Sequence, residues 1–119
     1  MSRYRLVHAA SGERLAVVSR ADNWLSKGWG VLGRRTLPVG TGVWLPGVAS
    51  VHTMGVRFPL DLLFLDSHLR TVRVLPNVPP GRWLVRASGA AQTLELGAGT
   101  LALLTSALSA GDGWRLEQQ

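Results

Sequence analysis

The chain is built from short apolar segments, and glycine, proline or polar residues end each segment after a few positions. Its 119 residues include 14 glycines and six prolines. Turn signals therefore recur about every 8–12 residues, a spacing typical of antiparallel β-sandwiches and barrels. A sustained helical period is missing almost everywhere, which argues against an α/β fold. We therefore predict an all-β fold, a compact antiparallel β-sandwich or barrel.

The glycine, proline and polar residues between the apolar segments set the bounds of the predicted strands. Two apolar runs around Ser11-Gly12 indicate a β-hairpin. Asp22 is suited to be a helix N-cap, and the glycines that follow it keep any helix short, so we expect one short helical segment near residues 22–33. The predicted strands are residues 4–9, 14–18, 43–45, 51–53, 62–65, 70–75, 83–86, 92–96, 101–104 and 114–117.

The composition is that of an ordinary globular chain, with 46% hydrophobic and 17% charged residues. We expect one domain over residues 1–119, large enough to bury roughly two thirds of its unfolded surface. No apolar run approaches the roughly 20 residues of a membrane-spanning helix. Charges also interrupt the N-terminal apolar stretches, which is unlike a secretory signal. We therefore expect a cytoplasmic protein without membrane insertion.

The chain contains no cysteine. Disulfides, thiolate zinc sites and cysteine nucleophiles are thereby excluded. The three histidines are not spaced as metal ligands in a His-x-His or His-x-x-x-His pattern. We expect neither a metal nor another cofactor.

The formal net charge is +6, carried by arginine far more than by lysine. The arginines are spread along the chain, and Arg34-Arg35 is the only adjacent pair. A dispersed charge of this kind argues against nucleic acid as a partner, because nucleic-acid binding proteins concentrate Arg and Lys on one face. A weak Arg-rich nucleic-acid-binding module stays open as one alternative.

Four polar side chains crowd into residues 50–66, ahead of an apolar strand: His52, Thr53, Arg57 and Asp61. Pro59 has no N–H, so the chain there forms an edge, a corner or a bulge rather than the middle of a ladder. Asp61 begins the buried strand and needs a partner, because an unpaired buried charge costs several kcal/mol. Arg57 and the backbone N–H groups of the turn are the candidates.

Two interpretations of this corner are open. Arg57 and Asp61 lock the corner together, or they form one wall of a polar-ligand pocket that His52 and Thr53 also face. We expect a non-enzymatic module that binds a small molecule or a protein at the His52–Asp61 corner. The enzymatic alternative is a small hydrolase with His52 as general base, oriented by Asp61. Elsewhere, strand alternation points Glu95 outward.

Residues 30–112 resemble the family of small prokaryotic proteins called domain of unknown function 192. The resemblance is carried by Gly30-Val31-Leu32-Gly33-Arg34, Leu37-Pro38, Gly42, His52 to Asp61, Phe64-Leu65-Asp66, Val78-Pro79-Pro80, Leu94-Glu95-Leu96, Ala98-Gly99 and Gly111-Asp112. The central motif resembles the subgroup that reads His-Thr-x-x-x-Arg-Phe-Pro-x-Asp.

The resemblance implies a compact β-sandwich or barrel, and it implies no established activity or cofactor. Val48 stands where that subgroup often has Cys, and Val56 where it usually has Met. Several residues are expected to have structural roles at turns and rigid loops: Pro59, Asp66, Pro79, Pro80, Gly111 and Asp112.

Overall fold

A computed structural model describes residues 2–23 and 30–119, and nine strands make up almost all of the regular structure in these residues. The remaining regular element is a 3₁₀ turn, Leu101–Leu103. The strands are β1 (Arg3–His8), β2 (Arg14–Arg20), β3 (Thr41–Pro46), β4 (Ser50–Val51), β5 (Leu60–Leu65), β6 (Thr71–Val78), β7 (Val85–Arg86), β8 (Gln92–Gly97) and β9 (Trp114–Gln118).

Seven strands form one curled sheet in the order β6-β5-β8-β3-β2-β1-β9, which makes a half-barrel. The two outer strands approach each other at one end. There the Thr71 N–H donates to the Asp112 carbonyl at 2.8 Å, and the Trp114 N–H donates to the Leu69 carbonyl at 2.9 Å. These bonds satisfy edge groups that would otherwise be open to solvent or to another chain. The strands β4 and β7 pair separately as a short antiparallel ribbon.

Both faces of the central strands are buried. Every residue of β5 and of β8 is buried, and Leu62 of β5 lies opposite Glu95 of β8. Leu62 and Phe64 pack into one apolar cluster, whereas Leu63 and Leu65 pack into another on the opposite face. A polar residue on these strands is therefore buried on whichever face it lies.

The predicted all-β fold is confirmed, with two differences in detail. The strands β2 and β3 pair in parallel, so the sheet is not wholly antiparallel. Residues 101–103 form a 3₁₀ turn rather than a strand, held by i→i+3 bonds such as the Leu104 N–H to the Leu101 carbonyl.

The predicted helical segment falls largely on residues 24–29, which lie outside the described residues; the flanking residues 30–33 form a turn. Within the described ranges, no helix is long and apolar enough to span a bilayer.

Candidate functional site

A cavity of about 280 Å³ opens between the turn at residues 30–32, the β4 ribbon and the central sheet. Most of its lining is apolar, and its polar groups come from a few side chains. We call it the Glu95 cavity; the described residues that line it are Gly30, Val31, Leu32, Leu45, Val48, Ser50, Val51, His52, Val56 and Glu95.

Glu95 is the buried polar group of this cavity. Its side chain is 4% exposed, and among the described residues its Oε1 atom has no hydrogen-bond partner. Burial raises the pKa of Glu95 to about 7, while the backbone N–H of Val31 and the positive charge of Arg34 lower it in part. The side chain therefore carries a carboxyl that changes protonation near neutral pH.

Gly30 allows this carboxyl to approach the turn closely. A Cβ atom at residue 30 would lie only 2.4 Å from the Glu95 Oε1 atom, and the backbone φ of +48° is in the left-handed region. The turn at residue 30 thus accommodates the carboxyl because a side chain is absent there.

His52 follows directly after β4 and is an exposed residue that also lines the Glu95 cavity. The β4–β7 ribbon positions it, since Ser50 pairs with Arg86 and Val51 pairs with Val85. His52 therefore places an imidazole at the rim of the cavity, while Glu95 lies inside.

Thr53 is fully buried, and four hydrogen bonds join it to residues 79–82. Its hydroxyl donates to the Pro79 carbonyl at 2.8 Å and accepts from the Arg82 N–H at 2.8 Å. Its backbone N–H donates to the Arg82 carbonyl, and its carbonyl accepts from the Gly81 N–H. Thr53 therefore fastens the rigid loop at residues 79–82 to the His52 segment.

Asp61 is 1% exposed, and backbone groups satisfy both of its carboxylate oxygens. Oδ1 accepts from the Asn77 N–H at 2.9 Å, and Oδ2 accepts from the Leu101 N–H at 2.9 Å. Backbone partners were one of the two options that the sequence left open for Asp61, but these N–H groups belong to distant segments rather than to the local turn. Asp61 lines a different, shallower cleft beside Asn77 and Gly99.

Arg57 does not pair with Asp61 in the described part of the chain, so of the two candidate kinds of partner Asp61 uses backbone N–H groups. Arg57 is exposed and lines neither the Glu95 cavity nor the cleft beside Asp61. Of the four candidate residues, only His52 reaches the Glu95 cavity; Thr53 and Asp61 are engaged in buried hydrogen bonds. Ligand binding by these four residues stays a prediction.

The residues expected to have structural roles lie in the segments that connect the strands. Asp66 caps the β5–β6 hairpin, because its Oδ1 accepts from the N–H groups of His68 and Arg70. These bonds lower the pKa of Asp66. Pro59 directly precedes β5, and Pro79 accepts the Thr53 hydroxyl. Pro80 is exposed in the same loop, and Gly111 has a φ of +86°.

Asp112 links two parts of the sheet that are far apart in the sequence, through hydrogen bonds between side chains. Its Oδ2 lies 3.1 Å from His8 Nε2, and His8 Nδ1 lies 2.7 Å from the Ser11 hydroxyl. The Ser109 N–H and His8 lower the pKa of Asp112. Buried His8 packs edge-on against the Trp114 ring and lines neither the Glu95 cavity nor the cleft beside Asp61. This serine–histidine–aspartate chain therefore fastens β1 to the start of β9.

Glu95 is the site residue that sequence reasoning missed. Strand alternation placed it outward, but β8 is buried on both faces. A signal was present in the resemblance described above: Val48 and Val56, the two departures from the subgroup pattern, both line the Glu95 cavity. A cavity wall is where such substitutions change what can bind.

Comparison with known proteins places the chain in a recognised group. A family model, DUF192, described as "Uncharacterized ACR", matches residues 6–114. No curated protein matches the chain significantly.

Two solved structures are similar over nearly the whole chain. The first is from Sinorhizobium meliloti and is proposed to be a transcription regulator; it is 26% identical, with a TM-score of 0.77 over 98% of this chain and 92% of its own. The second is a protein of unknown function from Novosphingobium aromaticivorans; it is 22% identical, with a TM-score of 0.76 over 95% of this chain and 83% of its own. The second likeness shows the fold alone.

Proposed function

The chain belongs to the DUF192 family of uncharacterised proteins, and we propose that this member is a non-enzymatic module that binds a small ligand in the Glu95 cavity, with His52 at the rim. The unpartnered Oε1 atom of Glu95 supports this most directly. A buried polar atom without a hydrogen bond is costly, so a ligand that donates a hydrogen bond to it gains a favourable contact.

The chemistry of the cavity favours a primary amine with a small apolar body. An ammonium group supplies a hydrogen-bond donor for the unpartnered oxygen and a positive charge next to the buried carboxylate. The side chains of Val31, Leu45 and Val56 offer apolar contacts to the rest of the ligand. A volume of about 280 Å³ is at the small end of known ligand pockets, which begin at about 300 Å³.

The hydrolase alternative finds less support. A general base needs an orienting carboxylate within hydrogen-bond reach, and Asp61 was the candidate for His52. Both Asp61 oxygens accept backbone N–H groups instead, and no hydrogen bond joins Asp61 to His52 in the described ranges. A protein partner at the same rim has no comparable observation in its favour.

The test compares n-butylamine with butyrate, two probes of similar size and opposite charge. Backbone amide shifts in ¹⁵N NMR spectra at pH 8 report binding at Gly30, Val31 and Val51. We expect butylamine, and not butyrate, to shift these signals. Glu95→Gln removes the charge at nearly constant volume and should weaken amine binding about tenfold or more, because a charge-assisted hydrogen bond is lost.

Glu117→Gln is the matched control, since it makes the same change at a partly exposed carboxyl on β9. It should leave amine binding unchanged. Equal binding of both probes, or amine binding that survives Glu95→Gln, would refute a carboxylate-directed ligand site in this cavity.

A further inference from the structure

Three arginines from one stretch of the sequence, residues 73–86, line a second cleft. Arg73 lies on β6, Arg82 lies in the loop before β7, and Arg86 lies on β7. The cleft has a volume of about 300 Å³, and no acidic side chain is among the described residues that line it. Tertiary structure therefore concentrates charge that is dispersed along the chain.

These three charges are not neutralised within the described part of the molecule. The described ion pairs involve His8, Arg20 and Arg115. Arg73 instead donates from Nη1 to the neutral backbone carbonyl of Arg86 at 2.6 Å. The three positive charges raise the electrostatic potential of the cleft, and a bound oxyanion would offset it. Guanidinium groups also match phosphate oxygens in shape and hydrogen-bond geometry.

The same segment carries an exposed aromatic ring. Trp83 lies in the chain between Arg82 and Leu84, two residues that line the cleft, and it is 80% exposed. Leu84 is also 53% exposed. Trp83 is not itself among the residues that line the cleft, but its exposed ring follows Arg82 directly in the chain. Proteins that bind single-stranded nucleic acid combine exposed rings, on which bases stack, with basic groups that contact phosphates.

We propose that the Arg73–Arg82–Arg86 cleft binds single-stranded nucleic acid without base-edge readout, with phosphates on the arginines and a base on Trp83. This site is separate from the Glu95 cavity, which carries none of these residues. Contact with about three phosphates predicts a log–log salt slope of about 2 for single strands.

Fluorescence anisotropy with a labelled dT10 oligonucleotide at 50 mM salt tests the proposal. Arg82→Gln and Arg86→Gln should each raise the Kd about eightfold, as expected for the loss of one phosphate contact at this salt concentration. Trp83→Leu should raise the Kd about fivefold or more through lost stacking. Arg73 is kept, because its bond to the Arg86 carbonyl also holds the backbone. Circular dichroism melting confirms that each variant folds.

Arg115→Gln is the charge-matched control, because Arg115 lies on β9 and already pairs with Glu117 at 3.1 Å. It should change the Kd by about twofold or less. Equal losses in Arg82→Gln and Arg115→Gln, or no binding by the wild type, overturn the proposal. Tighter binding of a duplex than of dT10 overturns the single-strand assignment. An unchanged Kd for dT10 in Trp83→Leu also overturns it, if pyrophosphate competes with dT10 equally well in this variant and in the wild type.

Discussion

Two buried carboxylates lie on the neighbouring strands β5 and β8, and their surroundings are opposite. Asp61 lies across from Leu96 and Glu95 lies across from Leu62, so the two side chains leave the sheet on different faces. Both oxygens of Asp61 accept a backbone N–H at 2.9 Å. The Oε1 atom of Glu95 has no hydrogen-bond partner among the described residues, and Glu95 lines a cavity.

The comparison suggests different roles for the two carboxylates: Asp61 stabilises the fold, whereas Glu95 keeps an oxygen that can bind a ligand. Asp61 ties the β6 segment at Asn77 and the 3₁₀ turn at Leu101 to β5, because charged acceptors make strong hydrogen bonds to N–H groups. Glu95 contributes no such tie through Oε1, and its burial favours the neutral form. The variants below test whether the two carboxylates act in these different ways.

The largest expected effect is on the pH dependence of stability through Glu95. Its pKa is raised in the fold from 4.5 to about 7, so its stabilising contribution is full below about pH 4.5 and is lost as pH rises through 7. The free energy of unfolding of Glu95→Gln, relative to wild type, should therefore increase by about 3 kcal/mol between pH 4 and pH 8.

Urea titrations at several pH values measure this difference. Glu117→Gln, at a partly exposed carboxyl, should follow the wild-type profile. Parallel profiles for wild type and Glu95→Gln would mean that the Glu95 carboxyl is not desolvated, and the contrast with Asp61 would disappear.

Asp61→Asn should have the next largest effect. The amide keeps one acceptor oxygen, but its NH₂ group faces a backbone N–H in place of the second oxygen. We expect a loss of about 1–3 kcal/mol in the free energy of unfolding at pH 7. Denaturant midpoints measure it, with Asp22→Asn as the control because the Asp22 side chain is half exposed. An unchanged midpoint would mean that the two N–H bonds contribute little to the fold.

The smallest expected effect on stability is that of His52→Ala. The residue is exposed and lies at the rim of the Glu95 cavity, so the free energy of unfolding should change by about 0.5 kcal/mol or less. The amide shifts that butylamine induces at Val51 should nevertheless change, since the rim of the cavity is altered. Lower stability together with unchanged shifts would assign His52 to the fold instead of the site.

The sequence by itself determined the all-β class, most strand positions and the turns at Asp66 and Gly111, because local turn chemistry and apolar runs act over a few residues. It could not determine the partners of Asp61, which come from positions 16 and 40 residues away. Nor could it place Glu95, because alternation assumes that one face of a strand meets solvent, and residues such as Val31 and Val56 cover that face of β8. Convergence of Arg73, Arg82 and Arg86 likewise depends on how β6 and β7 pack. Long-range packing decides which polar groups meet, so the tertiary structure alone decided the site.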